Sequence, residues 1–321
     1  MVRPISVDLA WMLPILLACT AVRTDAQETP TAVGQNVEAI LSRSHDYIVR
    51  GEFDLAIADL TEAIRLDPNC PPNYSLRSWA YLKKQDLGRA IADASKAISL
   101  APRFPAPYFN RGNAYILKND PKAAIADFTV VLGLLPDNTE ALVGRGHAYL
   151  MIKDLDKATG DFSEAIRLDP KCAEAYAKRC VVYMRKGDLD KAVADSTTAL
   201  SLDPKATPSY LNRGILYLEK GDPDRALLDF KALLVLLPNS DEGYAGCGRA
   251  HLLKMEDDQA IKDFTEAIRL SKLDVLSSPR LPSHLEGRAK VYMSKGQFDK
   301  AMADYDAAAH AQSNPTAAIQ H

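Results

Sequence analysis

Apolar and polar residues alternate along this chain with the spacing of helices, and the alternation recurs at a fixed interval. Over residues 105–135 the large apolar residues fall at Tyr108, Tyr115 and Ile116, then at Ala124, Ile125, Phe128 and Leu132, which places them on one side of each of two helices. A polar break separates the two stretches, Lys-Asn-Asp at 118–120 and Lys-Gly-Asp at 186–188 and 220–222. Glycine accepts the left-handed backbone that ends a helix, so each interval predicts a helical hairpin. Proline closes most intervals, at Pro68, Pro102, Pro136, Pro170, Pro204 and Pro238, where its missing N–H cannot continue the second helix. Tyrosines at 47, 81, 115, 149, 183 and 217 keep a step of 34 residues; His251 takes the next place, and Tyr292 follows after 41, one interval plus a seven-residue insertion at 275–281. Alanines at 56, 90, 124, 158, 192, 226, 260 and 301 keep the same step, which gives eight intervals.

A longer period overlies the first. Residues 110–128, NRGNAYILKNDPKAAIADF, return at 212–230 as NRGILYLEKGDPDRALLDF, and TEAIRLDP at 61–68 returns as SEAIRLDP at 163–170 and TEAIRLSK at 265–272, each 102 residues on. Copying a block of three hairpins extends a surface, which favours binding over one catalytic centre. Small residues recur inside the first helix, at Gly112, Gly146, Gly214 and Gly248 and at Ser44, Ser78, Cys180 and Ala289. Glycine inside a helix costs roughly 0.5–1 kcal/mol. Its recurrence predicts a close crossing of the second helix, opposite the alanine series.

The pattern Tyr-x2-Arg-Gly-x2-Tyr, then Ala-x3-Phe, then Pro, resembles the tetratricopeptide repeat over residues 37–315, with repeats near 37–70, 71–104, 105–138, 139–172, 173–206, 207–240, 241–274 and 282–315. The resemblance implies an all-α, right-handed superhelical solenoid of helix-turn-helix hairpins, a non-enzymatic scaffold whose first helices line a concave groove for a protein or peptide partner. Carried onto this chain, the groove-facing places hold Trp79, Phe109, Asn113, Leu117, Val143, His147, Met151, Val181, Leu211 and Ile215. The lysine, asparagine and arginine with which cytosolic adaptors of this family grip a terminal carboxylate are absent where Ser75, Trp79, Phe109 and Asn113 stand; Arg249 and Lys290 beside Glu242 and Glu286 form a more polar end, either a selective region or a solvated rim. The chain also departs from the family: an arginine replaces leucine before the small residue at Arg43, Arg77, Arg111, Arg145, Arg179, Arg213 and Arg288. An aspartate follows each alanine by three, at Asp59, Asp93, Asp127, Asp161, Asp195, Asp229, Asp263 and Asp304. A charge beside a packed interface needs a partner, so the two series predict a structural Arg–Asp ladder between helices, against the alternative that both are solvated. Cys247 stands where the seventh arginine would be, which leaves Asp263 without that partner.

A net charge of −3 over 321 residues supplies no basic field for nucleic acid. No HExxH, phosphate loop or GxSxG occurs, and His45, His147, His251, His284, His310 and His321 are scattered, so no catalytic residue, metal or cofactor is expected. Cys70, Cys172, Cys180 and Cys247 fit neither a CxxC site nor a disulfide framework. At the N-terminus, Arg3 precedes the apolar LAWMLPILLA at 9–18 and polar residues follow, which reads as an export signal over 1–26 cleaved after Ala26. Its 14-residue apolar stretch at 9–22 is shorter than the ~20 residues that span a bilayer, and no transmembrane helix is expected in the mature chain. The LLAC at 16–19 resembles a lipobox, so acylation of Cys19 is the alternative to simple cleavage. The expected location is secreted or periplasmic in a bacterial envelope, free or as a lipoprotein, with a 27–36 linker and a 316–321 tail. Self-association is the alternative to an external partner.

Overall fold

The computed structural model describes residues 32–273 and 278–313. The expected signal with Cys19 and Ala26, the 316–321 tail and part of the insertion lie outside the described residues. These form sixteen α-helices and no strand. In order they are α1 (Ala32–Arg50), α2 (Phe53–Leu66), α3 (Pro71–Lys83), α4 (Leu87–Leu100), α5 (Pro105–Leu117), α6 (Pro121–Leu134), α7 (Thr139–Met151), α8 (Leu155–Leu168), α9 (Ala173–Lys186), α10 (Leu189–Leu202), α11 (Thr207–Glu219), α12 (Pro223–Leu236), α13 (Asp241–Leu253), α14 (Asp257–Leu273), α15 (Leu281–Ser294) and α16 (Phe298–Ser313). A short 3-10 turn, Ser278–Arg280, precedes α15. Helix α1 begins at Ala32, so residues 32–36, expected as linker, are helical. Two compact units result, one ending at Pro170 and holding α1–α8, the other starting at Lys171 and holding α9–α16. Within each, a hairpin packs on the next in chain order.

The polar break sets the hairpin geometry. Its last residue is the N-cap of the second helix: Asp86, Asp120, Asp154, Asp188 and Asp222 accept from the backbone N–H of Arg89, Ala123, Lys157, Lys191 and Arg225. The residue before it takes the left-handed backbone, with φ of 75° at Gly187 but also 61° at Gln85, 60° at Asn119, 62° at Lys153 and 59° at Met255. A side chain there costs roughly 1 kcal/mol. Lys153→Gly is therefore expected to stabilise the first unit by about 1 kcal/mol in urea unfolding.

All eight alanines of the repeating series are fully buried. The small places of the first helices, expected opposite them, serve mainly another purpose. Phe128 is fully buried between two glycines: a Cβ at Gly112 of its own hairpin would meet the ring at 3.0 Å, and one at Gly144 of the next hairpin at 2.6 Å. Phe230 lies likewise between Gly214 and Gly246, and Phe264 between Gly248 and Gly287. The alanine contact survives where the ring is missing, since the Ser78 hydroxyl donates to the Ala90 carbonyl at 2.7 Å.

Candidate interaction surface

Two side-chain systems can be distinguished beyond the alanine layer. The first is a ladder. Arg77 donates from Nε and Nη2 to the two carboxylate oxygens of Asp93 at 2.7 and 2.9 Å, and the same fork joins Arg43 to Asp59, Arg111 to Asp127, Arg145 to Asp161, Arg179 to Asp195, Arg213 to Asp229 and Arg288 to Asp304, all within 2.9 Å. Such bidentate pairs fix orientation as well as charge. The hydrogen bond to its aspartate raises each of the six guanidiniums beyond the first hairpin above its usual value, against the pull of burial.

The remaining nitrogen, Nη1, reaches the preceding hairpin. Arg77 donates to the Thr61 hydroxyl at 2.9 Å, Arg111 to Ser95 at 2.9 Å, Arg145 to Thr129 at 3.4 Å, Arg213 to Thr197 at 3.2 Å and Arg288 to Thr265 at 3.0 Å. Each of these five guanidiniums thus joins two helices of its own hairpin and one of its neighbour. The pattern carried this signal: a threonine or serine stands two places after the aspartate at 61, 95, 129, 163, 197 and 265. At the same place in the sixth hairpin is Lys231, ahead of the hairpin that has Cys247 for arginine. There Asp263 meets His251 Nδ1 at 2.7 Å instead. Burial raises the Asp263 carboxyl in spite of His251 and the neighbouring Lys262 and Lys231. Burial also pushes the Cys247 and Cys180 thiols up to about 12, which makes them packing groups and not nucleophiles.

A second polar centre, which sequence patterning missed, ties the seventh hairpin to the eighth. Buried Asp241 accepts from Arg280 Nε at 2.9 Å and Nη2 at 3.1 Å and from Ser271 Oγ at 3.0 Å, with His284 Nε2 at 3.2 Å. Arg280 belongs to the insertion, and α14 runs three residues beyond the 14 of α12 to bring Ser271 into place. Burial alone would raise the Asp241 carboxyl; bonds from His284, Arg280 and Ser271 outweigh it and hold the group well below the usual carboxylate range. A carboxylate depressed in the fold contributes stability that is complete above its unfolded value near pH 4 and is lost as pH falls through the folded value. The protection of amides in α13 and α15 from hydrogen exchange, taken relative to the intrinsic exchange rate at each pH, is expected to fall on acidification below about pH 4, with that acid dependence reduced in Asp241→Asn.

The second system is the exposed side of the first helices, where α3 contacts α5 and α5 contacts α7 in one unit, and α9, α11, α13 and α15 contact in sequence in the other. These contacts correct part of the expected groove. Trp79, Phe109, Asn113 and Val143 are only 3 to 5 % exposed, because neighbouring first helices close over them. Trp79 stands edge-on to Phe53 at 5.8 Å with Lys83 Nζ over its ring at 5.0 Å, and Phe109 stands edge-on to Phe128 at 5.7 Å. What reaches solvent in the first unit is Leu117, with His147 and Met151 half-buried; in the second, Val181, Leu211 and Ile215 are half-buried. Charged groups interrupt this second stretch. Desolvation raises the Glu174 carboxyl against the pull of Lys178 and lowers the Lys178 ammonium against the pull of Glu174. Arg249 reaches solvent, yet desolvation by the surrounding protein lowers it in spite of Glu242. No three histidine, cysteine, aspartate or glutamate side chains converge as metal ligands among the described residues, nor is any helix there long and apolar enough to cross a membrane.

The sequence profile of the tetratricopeptide repeat matches residues 41–105, 75–139, 109–173, 143–207, 181–241 and 211–275, and a second profile of the same repeat matches 286–314. This chain belongs to the tetratricopeptide repeat family. Among solved structures it is similar to a tetratricopeptide repeat protein from Parabacteroides merdae, with 23% identity and a TM-score of 0.61 over 78% of this chain and all of that one. It is also similar to PilW, a type IV pilus biogenesis factor (18% identity, TM-score 0.60, 65% of this chain and 96% of that one), and to Pseudomonas aeruginosa pilF (17%, 0.59, 66% and 97%). These likenesses are likenesses of fold. No curated protein matches the sequence. Tetratricopeptide repeat proteins bind protein or peptide partners and are generally non-catalytic scaffolds, and the fold of this tetratricopeptide repeat chain is the all-α solenoid of that family.

Proposed function

We propose that this protein is an exported, non-enzymatic scaffold that holds a peptide or protein segment along its first helices. The supporting observation is that the first helices of the second unit carry half-buried apolar side chains interspersed with charged ones: Val181, Leu211 and Ile215 with Glu174, Lys178 and Arg249. Such a row suits an extended or helical segment carrying both apolar and charged groups. Export rests on the N-terminal sequence: Arg3, the apolar 9–22 stretch and the polar residues before Ala26. Mass spectrometry of the mature N-terminus decides between cleavage after Ala26 and an acylated Cys19. For the binding face, a photo-crosslinking amino acid at Ile215 is expected to capture a protein in cells, while the same group at exposed Ala194 on α10 captures none. Equal capture at both positions, or none at 215, defeats the reading.

A further inference from the structure

One repeated place on the first helices changes character along the second unit. Val181, Ile215 and Arg249 stand 34 residues apart, and Lys290 follows after 41, the interval that contains the insertion. They lie on α9, α11, α13 and α15, each of which contacts the next. Val181 and Ile215 are half-buried, while Arg249 and Lys290 are exposed. The row is therefore apolar over two helices and basic over the next two. In the first unit the same place holds His45, Trp79, Asn113 and His147, with neither lysine nor arginine.

The carboxylates beside this basic end are engaged, and its two cations are not. Glu242 of α13 faces Arg280 Nη1 at 3.8 Å, and Glu286 of α15 accepts from Gln312 Nε2 at 3.2 Å. Among the described residues, no side chain forms an ion pair or a hydrogen bond with Arg249 or Lys290. The ladder arginines differ, since each has its own aspartate. The surrounding protein keeps water from Arg249, and the pull of Glu242 does not offset that loss. A charge partly removed from water without a partner is costly. A carboxylate supplied from outside would remove the cost, and a guanidinium can hold it with two parallel bonds. At the apolar end, Glu174 and Lys178 of α9 pull on each other, so that end adds no net charge. Packed helices lie about 8–10 Å apart and an extended chain advances about 3.3 Å per residue, so each first helix corresponds to about three residues of a segment laid across the row.

We propose that the second unit selects an extended protein segment that is apolar in one half and acidic in the other, with apolar side chains on Val181 and Ile215 and carboxylates on Arg249 and Lys290. This specificity rests on the binding face proposed above and adds the chemistry of its occupant. Panning a phage-displayed library of random twelve-residue peptides against the purified mature chain is expected to enrich sequences with apolar residues about three apart and aspartate or glutamate continuing at that spacing. Fluorescein-labelled synthetic copies should bind at least tenfold more weakly to Arg249→Ala and to Lys290→Ala, and more weakly as salt is raised. Arg249→Glu combined with Lys290→Glu should turn the enrichment towards lysine and arginine. Both side chains are exposed, so circular dichroism should show unchanged helicity in every variant. Enriched peptides that Ile215→Ser weakens, but that lack acidic residues or bind Arg249→Ala and Lys290→Ala normally, overturn the specificity and leave the binding face standing. Peptides that Ile215→Ser does not weaken, or no enrichment at all, overturn both.

Discussion

Arg111→Met is expected to destabilise the first unit by about 3 kcal/mol, because it strands a carboxylate that the fold has taken out of water. Asp127 is 4 % exposed and accepts both of its strong bonds from Arg111 at 2.8 Å, and Ser95 of the preceding hairpin loses its donor at 2.9 Å. The pair itself contributes far less than its removal costs, since both partners were desolvated to form it. The double variant Arg111→Met with Asp127→Leu should therefore recover most of the loss, to within about 1 kcal/mol of the unaltered chain. Urea unfolding supplies the total, and hydrogen exchange should place the loosening in α4, α5 and α6. An equal loss in the single and double variants would show that the rung is bound by net attraction. Arg43→Met should cost much less, because that side chain is 57 % exposed and its pair is the solvated start of the ladder.

Gly287→Ala should be nearly as damaging, for the opposite reason: an added methyl has nowhere to go. Its Cβ would lie 2.4 Å from Cε1 and 2.7 Å from Cζ of Phe264, and a Cβ added on the other side, at Gly248, would already meet that ring at 3.0 Å. The ring is 1 % exposed and cannot retreat from one first helix without striking the other. Overpacking of this kind costs about 2–3 kcal/mol. Phe264→Leu makes a cavity by itself, but in combination with Gly287→Ala the two errors offset, so the double variant should be more stable than the sum of the singles predicts. Thermal unfolding of the four chains completes the cycle, and strict additivity would refute the steric account.

The repeat made the architecture legible because a 34-residue step in tyrosine and alanine leaves few alternatives to stacked hairpins, and the polar breaks mark the helix ends. The Arg and Asp series were equally visible as matched charges. The threonine and serine shelf was present in the letters but is informative only once the reach of Nη1 into the neighbouring hairpin is known. The glycines could be seen as small places; which ring they admit depends on the tilt of three helices, and no spacing gives that. The groove was read less well. The family resemblance places Trp79 and Phe109 in the groove, yet whether they reach solvent is decided by how closely α3, α5 and α7 approach, a distance the sequence does not encode in any single residue. The Asp241 centre was hidden because Arg280 lies in the insertion and outside every repeated position.

Cys247 changes how the second unit can come apart. The sixth hairpin offers Lys231 in place of a hydroxyl, the seventh has no guanidinium to send back to it, and the seventh is bolted to the eighth by Asp241, Arg280 and Ser271. In a chain whose hairpins touch only their neighbours, stability is a series of local couplings. The α12–α13 joint therefore lacks the polar rung of its neighbours and is held by its apolar core, with Phe230 between Gly214 and Gly246 and Leu227 against Ala250, and by the Lys254–Asp224 ion pair.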